Sequence, residues 1–511
     1  MEWFTIIVSV LIGAIGIQLL LWRKPNKLKK MGVLHPTAWP IIGNSGSVVC
    51  FRSHFTDMIE SIYRFNEEAD YVGFYDLRDP MILIRSPELL KNIAVKHFDH
   101  FTDHRNFFDL DSESLFSKNL FALRGEKWKE VRTLLSPAFT GSKMKNMFEL
   151  MSTCGNNFVE HLVNVSLDKS NIVNSKDIFT RFSNDVIATC AFGINIDSMK
   201  YPSNEFYMLG KDATNFSALR GLKLVLVRMF PLLKKLLGGT FVSPKVESFF
   251  ENIIRETIET REKQGITRPD MLQLMMESHE KKPDKSRDFT IRDMTAQAFV
   301  FFFGGFESVA TVMCLVAHEI ALASEVQNKL QREIDEVLAE RTSQKCATYE
   351  VINGMQYLDA VVNETLRLYP INLFLERVCT KSFELPPALP GSKPVTIEPG
   401  QSVWYPTFSV QRDPKYYPNP KIFDPERFMG DAKSKIDPLT YLPFGMGPRM
   451  CIANRFALLE VKVLIFNLLA KCSLKSRPGA RSPIELKKTG FNFVPREGFW
   501  LEIEPRKAPV R

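Results

Sequence analysis

The segment Phe444-Gly445-Met446-Gly447-Pro448-Arg449-Met450-Cys451 decides how this sequence is interpreted. A cysteine that binds a metal as its thiolate needs a turn that presents the sulfur, and Gly447 permits such a turn. Backbone N–H groups that follow Cys451 at the start of a helix can stabilise the charge of the sulfur, while Phe444 can keep water away. A lone cysteine near a glycine-rich turn is usually inert, but the spaced set F-x-x-G-x-R-x-C indicates a metal ligand.

The composition describes a long chain that is mostly globular. It has 511 residues, of which 45% are hydrophobic and 24% charged, enough for one very large core or for roughly two to three ordinary domains. The formal net charge is +8, and no basic cluster is interleaved with aromatic residues, so no nucleic-acid partner is predicted. The eight cysteines are scattered and form no C-x-x-C pair, which argues against a zinc or disulfide framework and favours the reducing cytosol.

The N-terminus is typical of a membrane anchor. Residues 3–22 are about 20 apolar or small residues between Trp3 and Trp22, long enough to cross ~30 Å of hydrocarbon as a helix. Several Lys and Arg residues follow at once, and the positive-inside rule places them and the rest of the chain in the cytosol. A cleaved signal peptide is the alternative, but the segment has neither a basic n-region nor a clear A-x-A site.

The sequence therefore predicts three parts. A transmembrane anchor occupies residues 1–22, a basic and Pro-containing linker residues 23–44, and one large catalytic domain residues 45–511. Within the domain, Tyr71–Tyr75 and Met81–Ile84 have the composition of two short strands, whereas helical periodicity dominates the middle of the chain. We expect a mainly α domain with a smaller β portion, of the α+β class.

A long apolar helix is predicted to begin at Thr290-Ile291-Arg292-Asp293, which has the pattern of a capping box. A helix that is apolar on all sides is either buried in a large protein or spans a membrane. Glu307 lies in its middle, and a carboxylate exposed to lipid would be costly. We therefore expect a central core helix rather than a second span.

These residues resemble the cytochrome P450 superfamily of haem-thiolate monooxygenases. The segment 444–451 is similar to the haem-binding loop of that family, and the resemblance covers about residues 36–505. Four further segments match family motifs in the family's order: Trp128 and Arg132 of W-x-x-x-R, Gly304-Gly305-Phe306-Glu307-Ser308 of the central helix, Glu364-Thr365-Leu366-Arg367 of E-x-x-R, and Pro425-Glu426-Arg427-Phe428. The chain most resembles the microsomal enzymes of insect family nine and vertebrate family three.

The resemblance implies a haem b cofactor whose iron has the Cys451 thiolate as its axial ligand, in a loop shaped by Phe444 and Gly447. It implies that Glu364, Arg367 and Arg427 form a buried structural lock. Buried carboxylates are well matched by Arg and Trp donors, and the candidates for the two haem propionates are Arg105, Trp128, Arg132, Arg377 and Arg449.

The central-helix motif implies residues for oxygen activation. Gly304 and Gly305 have no side chains and could open the helix, Ser308 offers a hydroxyl that can deliver a proton, and Glu307 is the nearest titratable group to resupply it. The alternative is a capped kink without a catalytic part. The sequence departs from the family twice, with Ser308 where Thr is usual and Ala453 where Gly is usual.

A lipophilic substrate is expected because aromatic side chains recur in the segments that would surround the haem. The pocket candidates are Phe107, Phe108, Phe116, Phe299, Phe302, Phe303, Ile371, Phe374 and Phe493. The chemistry implied by the resemblance is insertion of one atom of O2, with electrons from NADPH through a reductase and with cytochrome b5 as a second candidate partner. Lys127, Lys129, Arg455 and Lys462 could form part of the docking face for the reductase.

The implied location is the endoplasmic reticulum membrane, with the catalytic domain on the cytosolic face and in contact with lipid. Oxidation of plant toxins or insecticides is the implied role. Oxidation of a hormone or lipid, an isomerase or dehydratase that needs no electrons, and a non-catalytic protein that binds haem and lipophiles remain as alternatives.

Overall fold

The structure is a computed structural model that describes residues 27–105, 114–166, 171–214, 218–229, 242–268, 270–280, 289–339, 347–488 and 493–506, together with Ser9, Ile12, Gly13 and Gly16. Almost all of the predicted anchor, residues 23–26 of the linker, Phe107 and Phe108 lie outside these described residues. The domain boundaries therefore stay predictions.

Helices make up most of the described chain. In order they are α1 (Lys27–Lys30), α2 (Gly46–Val49), α3 (Phe55–Tyr63), α4 (Pro87–Lys91), α5 (Gly125–Leu135), α6 (Gly141–Ser166), α7 (Ser175–Ile187), α8 (Glu205–Ala213), α9 (Ala218–Met229), α10 (Pro244–Gln264), α11 (Met271–Glu280), α12 (Ile291–Leu322), α13 (Ser324–Ala339), α14 (Tyr349–Gly354), α15 (Gln356–Leu368), α16 (Thr407–Val410), α17 (Gly430–Ser434) and α18 (Asn454–Lys471). A π-helical turn, Asn92–Lys96, follows α4 directly.

The strands are short. They are β1 (Tyr71–Asp76), β2 (Asp79–Ile84), β3 (Ile172–Asn174), β4 (Leu375–Val378), β5 (Phe383–Leu385), β6 (Val395–Ile397), β7 (Ser402–Tyr405), β8 (Cys472–Ser476) and β9 (Trp500–Pro505). They form sheets with the orders β1-β2-β7-β4, β3-β9-β8 and β5-β6. The predicted α+β fold class is confirmed.

The largest sheet forms where the sequence predicts a strand pair. β1 and β2 are antiparallel, with Tyr71 opposite Ile84, and every residue of β1 is buried. β2 continues into a parallel pair with β7, and β4 pairs with β7 so that Arg377 lies opposite Val403. This sheet therefore carries Arg377, one of the propionate candidates, at a fixed position.

The central helix α12 is built as its sequence predicts. The Thr290 hydroxyl accepts the Asp293 N–H at 3.1 Å, and the Asp293 carboxylate accepts the Thr290 N–H at 3.0 Å, which completes the capping box. Among the described residues α12 is the helix long and apolar enough to cross a membrane, but most of it is buried against α7, α10 and α18. It is the core helix of the domain.

Candidate functional site

The loop before Cys451 closes on itself and on a neighbouring turn. The Cys451 N–H donates to the Phe444 carbonyl at 2.9 Å, and Gly445 and Gly447 both have a positive φ, of 84° and 72°. A Cβ on Gly447 would lie 2.1 Å from the carbonyl oxygen of Ala94, in the π-helical turn. Only glycine fits at Gly447, because any side chain would collide with backbone that cannot move away.

The Cys451 sulfur is surrounded by protein yet has accessible surface. Burial raises the pKa of the Cys451 thiol, whereas the backbone N–H of Ala453 and the positive charge of Arg132 act to lower it. The residue is nevertheless exposed, so its sulfur is accessible to a ligand. Ala453 has a φ of −96°, which any L-residue adopts, and its N–H donates to the sulfur, so alanine at this position is compatible with the loop.

Arg449 joins the cysteine loop to the segment that precedes α5. Its guanidinium is 2% exposed and donates to the carbonyls of Thr102 at 2.8 Å, Leu123 at 2.8 Å and Leu120 at 3.4 Å. It also lies 4.0 Å from the centre of the Trp128 ring, a close cation–π contact. The Trp128 indole N–H has no acceptor among the described residues.

The buried guanidinium groups around Arg449 outnumber the carboxylates that could balance their positive charge. Burial lowers the pKa of Arg449 to about 9 and of Arg377 to about 10. Burial also lowers the pKa of Arg132, whose guanidinium has no hydrogen-bond or ion-pair partner in the described part of the chain. The carboxylate nearest to Arg449 is Asp103, at 3.5 Å. Buried guanidinium groups in excess of carboxylates create a site for an anionic ligand.

Gly304 and Gly305 differ in surroundings. A Cβ on Gly305 would lie 2.7 Å from Ile187 Cδ1, so this glycine allows α7 to pack closely on α12. Gly304 has open space around it and an exposed backbone. The helix is α-helical throughout, and the Ser308 hydroxyl donates to the Gly304 carbonyl. Neither glycine opens the helix in this structure, since Gly305 packs on Ile187 and the Gly304 carbonyl accepts the Ser308 hydroxyl. The role of the two glycines in oxygen activation stays a prediction.

Glu307 is an ion-pair partner rather than a free acid. Its carboxylate lies 2.9 Å from Nζ of Lys176, in α7, and the same ammonium donates to the Glu307 carbonyl at 3.1 Å and to the Thr311 hydroxyl at 2.6 Å. Lys176 was not identified from the sequence, and no local signal marks it, because 131 residues separate it from Glu307.

A buried ion pair fixes the end of α15. Arg367 donates from Nε to Glu364 Oε2 at 2.7 Å and from Nη2 to Oε1 at 2.8 Å, with both side chains fully buried. Arg367 also donates to the carbonyls of Gln411 and Pro420, each at 2.9 Å. Arg427 Nε lies 3.6 Å from Glu364. The three residues expected to form a structural lock are therefore close together.

The comparisons with known proteins agree with this arrangement. The family model described as Cytochrome P450 matches residues 34–501. This chain belongs to the cytochrome P450 family. It is 42% identical to cytochrome P450 9e2 of Blattella germanica, covering 98% of this chain and 97% of that protein. It is 37% identical to probable cytochrome P450 9f2 of Drosophila melanogaster and 35% identical to cytochrome P450 3A12 of Canis lupus familiaris, covering at least 93% of each protein.

Family membership makes this cytochrome P450 a monooxygenase and implies a haem cofactor. The site fits such a group. Arg132 and the Trp128 indole N–H are unpaired among the described residues, and Arg377 Nε is buried without an acceptor there, as expected for donors that serve carboxylates of a ligand. Cys451 is exposed and so accessible to a ligand, and the Ala453 N–H donates to its sulfur.

Arg105 has a different role from the expected one. Its guanidinium donates to Asp76 at 2.9 Å and to Asp79, at the turn between β1 and β2, and Arg228 of α9 joins the same Asp76 carboxylate at 2.7 Å. The prediction that Arg105 binds a propionate is therefore wrong, because two carboxylates of the chain already hold its charge.

The aromatic candidates on the central helix divide into core and pocket. Phe299 and Phe302 are completely buried and pack on Phe250 of α10, with ring centroids 5.4 and 5.1 Å apart. Their assignment to the pocket is wrong, because 3.6 residues per turn direct them away from Gly304 and Ser308. Phe303 is half-buried and meets Phe116 edge-on at 5.4 Å.

The remaining pocket candidates also divide into core residues and residues that can line a pocket. Phe493 is 2% exposed and packs on Tyr369 and Phe408, which places it in the core and contradicts the pocket assignment. Phe374 is half-buried and stacks on Trp404 at 3.9 Å, and Ile371 is half-buried nearby in sequence. Phe116 is 2% exposed, like Phe493, so its pocket assignment is wrong for the same reason. Phe303, Ile371 and Phe374 stay candidates for the pocket wall.

We expect Gly447→Ala to lose haem during purification and Gly445→Ala to keep more of it. Both variants strain a positive φ by about 1–2 kcal/mol, but only the first adds a methyl group that collides with a backbone carbonyl. The haem-to-protein absorbance ratio of the purified proteins measures the difference. Equal retention in the two variants would mean that the contact with Ala94 does not matter.

We expect Phe302→Ala to lower the free energy of unfolding by about 3–5 kcal/mol, because it removes a ring from a closed aromatic core. Phe303→Ala should cost less stability and change the affinity for a lipophilic azole, measured by the shift of the haem absorption band. If instead Phe302→Ala changed azole affinity and left the unfolding midpoint unmoved, Phe302 would belong to the pocket.

Proposed function

We propose that this protein is a microsomal haem-thiolate monooxygenase that inserts one oxygen atom of O2 into lipophilic small molecules, with xenobiotics such as plant toxins or insecticides as its substrates. The observation that carries the proposal is the set of Arg132, Arg377, Arg449 and Trp128 donors beside an enclosed cysteine thiol. A haem-thiolate isomerase or dehydratase that needs no electrons would use the same donors and thiol. The Glu307-Ser308 pair on the central helix, which such relatives tend to lack, favours the monooxygenase.

The residues that would hold haem b are Cys451 at the iron and Arg132, Arg377, Arg449 and Trp128 at the propionates. Haem, when bound, supplies the iron at which oxygen is reduced and inserted. Burial raises the pKa of Cys451, and the chain's own part is to offset this in favour of the thiolate, through the Ala453 N–H and the nearby charge of Arg132. The fixed turn at Gly447 holds the sulfur in place.

Proton delivery falls to the central helix. Ser308 bears a hydroxyl on the open side of α12, beside the exposed backbone of Gly304. In the arrangement described this hydroxyl donates to the Gly304 carbonyl, so it must rotate to donate into the cavity. Glu307 is the carboxylate of an ion pair with Lys176, so it would accept protons and relay them to this hydroxyl.

The half-buried Phe303 ring, which packs on the buried Phe116, supports a lipophilic substrate, since it presents an apolar surface one residue before Gly304. The resemblance to insect family nine enzymes supports xenobiotics as the substrate class. A membrane anchor at residues 1–22 would hold the enzyme at the endoplasmic reticulum, where lipophilic compounds partition.

NADPH would deliver electrons through a flavoprotein reductase, with cytochrome b5 as a second partner. Three of the four basic residues expected at the docking face, Lys127, Lys129 and Arg455, are exposed, which supports that role. The prediction that Lys462 belongs to the docking face is wrong, because its side chain is buried and its Nζ lies 2.8 Å from Asp359 Oδ1.

The reduced, carbon-monoxide-bound absorption spectrum of the purified full-length protein tests the proposal. We expect the red-shifted Soret band of thiolate-ligated haem in the wild type and its loss in Cys451→Ser. A band at the position of histidine- or thiol-ligated haem, or no haem, would contradict the proposal and favour a non-catalytic binding protein. Turnover with reductase and NADPH then tests the monooxygenase reaction directly.

We expect Ser308→Thr to lower the hydrogen peroxide released per NADPH consumed by roughly half, because the added methyl group restricts the hydroxyl rotamer. Ser308→Ala is the matched control and should release more peroxide than the wild type, since it has no hydroxyl. The ratio is measured in the reconstituted system. An unchanged ratio in Ser308→Thr would remove rotamer freedom as a cause of uncoupling.

A further inference from the structure

Gln297 is a buried polar residue of the central helix that the proposed mechanism does not use. It is 1% exposed and lies about two turns before Gly304. Its Oε1 accepts the Leu120 N–H at 2.8 Å, and its Nε2 donates to the Lys118 carbonyl at 2.9 Å. One amide side chain therefore binds the backbone of a distant segment as both acceptor and donor.

The segment that Gln297 binds is the one that holds Arg449. Asn119 braces it internally, with its side-chain oxygen accepting the N–H groups of Phe121 at 2.9 Å and Ala122 at 3.1 Å. The Leu120 and Leu123 carbonyls accept from the Arg449 guanidinium. Leu120 is thus bound through its N–H by Gln297 and through its carbonyl by Arg449.

The same segment packs behind Phe303, a candidate for the pocket wall. Phe116 is two residues before Lys118, and its ring meets Phe303, on the central helix, at 5.4 Å. The Leu115 N–H donates to Glu247 at 3.3 Å, and Glu247 in turn binds Arg292 near the start of α12 at 3.0 Å. Segment 114–123 is therefore attached to the central helix at three points, directly at Gln297 and Phe303 and through Glu247 at Arg292.

We propose that Gln297 is a positioning residue that fixes residues 118–123 on the central helix and, through them, sets the Arg449 side chain against the haem propionates. The inference rests on the proposed function, since it takes Arg449 as a propionate ligand. The Gln297 Nε2 also donates to the Asp293 carbonyl of its own helix at 3.3 Å. The effect of Gln297 passes through the two backbone groups that it binds in segment 114–123, so the substrate side of α12 and the cofactor side of Arg449 form one connected unit.

The amide is the side chain that this position needs. Glutamate keeps the acceptor for the Leu120 N–H but loses the donor for the Lys118 carbonyl, and it places a negative charge in the interior. Leucine has a similar shape and loses both groups, which leaves a buried N–H and a buried carbonyl unpaired.

The experiment compares Gln297→Leu, Gln297→Glu and Thr295→Val in the full-length haem protein. Thr295 is the matched control, because it is completely buried on the same helix but donates only to the Ile291 carbonyl of that helix, at 2.8 Å. The readouts are the rate of haem transfer to apomyoglobin and the reduction potential of the haem. The thermal unfolding midpoint reports overall stability.

We expect Gln297→Leu to release haem about tenfold faster than the wild type and to shift its potential, Gln297→Glu to release haem faster by a smaller factor, and Thr295→Val to stay within about twofold. In an Arg449→Lys background Gln297→Leu should add less than about twofold, because the residue acts through Arg449. A merely structural role for Gln297 would instead give additive effects.

Haem release in both Gln297 variants equal to that of Thr295→Val, or full additivity with Arg449→Lys, would overturn the inference. If Gln297→Leu does not fold, the comparison of Gln297→Glu with Thr295→Val decides by the same criteria. The wild-type carbon-monoxide spectrum separates the two proposals. A missing thiolate band refutes the proposed function, whereas a normal band with unaffected Gln297 variants refutes this inference alone.

Discussion

A guanidinium in the interior of a protein needs an acceptor for its N–H groups, because an unpaired buried charge costs several kcal/mol. Arg449 meets this requirement with backbone carbonyls of Thr102, Leu120 and Leu123 and with the face of Trp128. These contacts bring the cysteine loop, the start of α5 and the segment before it to one point. The geometry of the site depends on this convergence.

The second fixed point is the pair formed by Glu364 and Arg367. Both side chains are fully buried, so the pair is stable only while Arg367 also donates to the Gln411 and Pro420 carbonyls. The pair therefore ties α15 to the irregular chain that leads to the cysteine loop. Gly447, which touches the Ala94 carbonyl, ties that loop to the turn after α4.

The faces of the central helix α12 make different contacts, and each contact has a different role. One face packs aromatic rings against α10, which explains the stability of so long an apolar helix. A second face receives α7 at Gly305 and Lys176 at Glu307. The face with Gly304 and Ser308 is left open, and Gln297 at its start holds the neighbouring segment. A single helix thereby separates core, ion pair and cavity.

The sequence by itself determined the features whose partners are near in the chain or whose backbone is special. The glycine turn before Cys451, the capping box at Thr290, the strand pair of β1 and β2, and the pairing of Glu364 with Arg367 across one helical turn all follow from local geometry. The loop around Cys451 and the α+β class belong to this group.

Only the tertiary structure decided which way long side chains point and with what they pair. Arg105 forms ion pairs with Asp76 and Asp79, Phe302 packs in the aromatic core, and Lys462 forms an ion pair with Asp359. The partner of Glu307 lies 131 residues away, and the backbone bound by Gln297 lies 177 and 179 residues away. Such choices depend on packing between distant elements, which no local pattern of residues encodes.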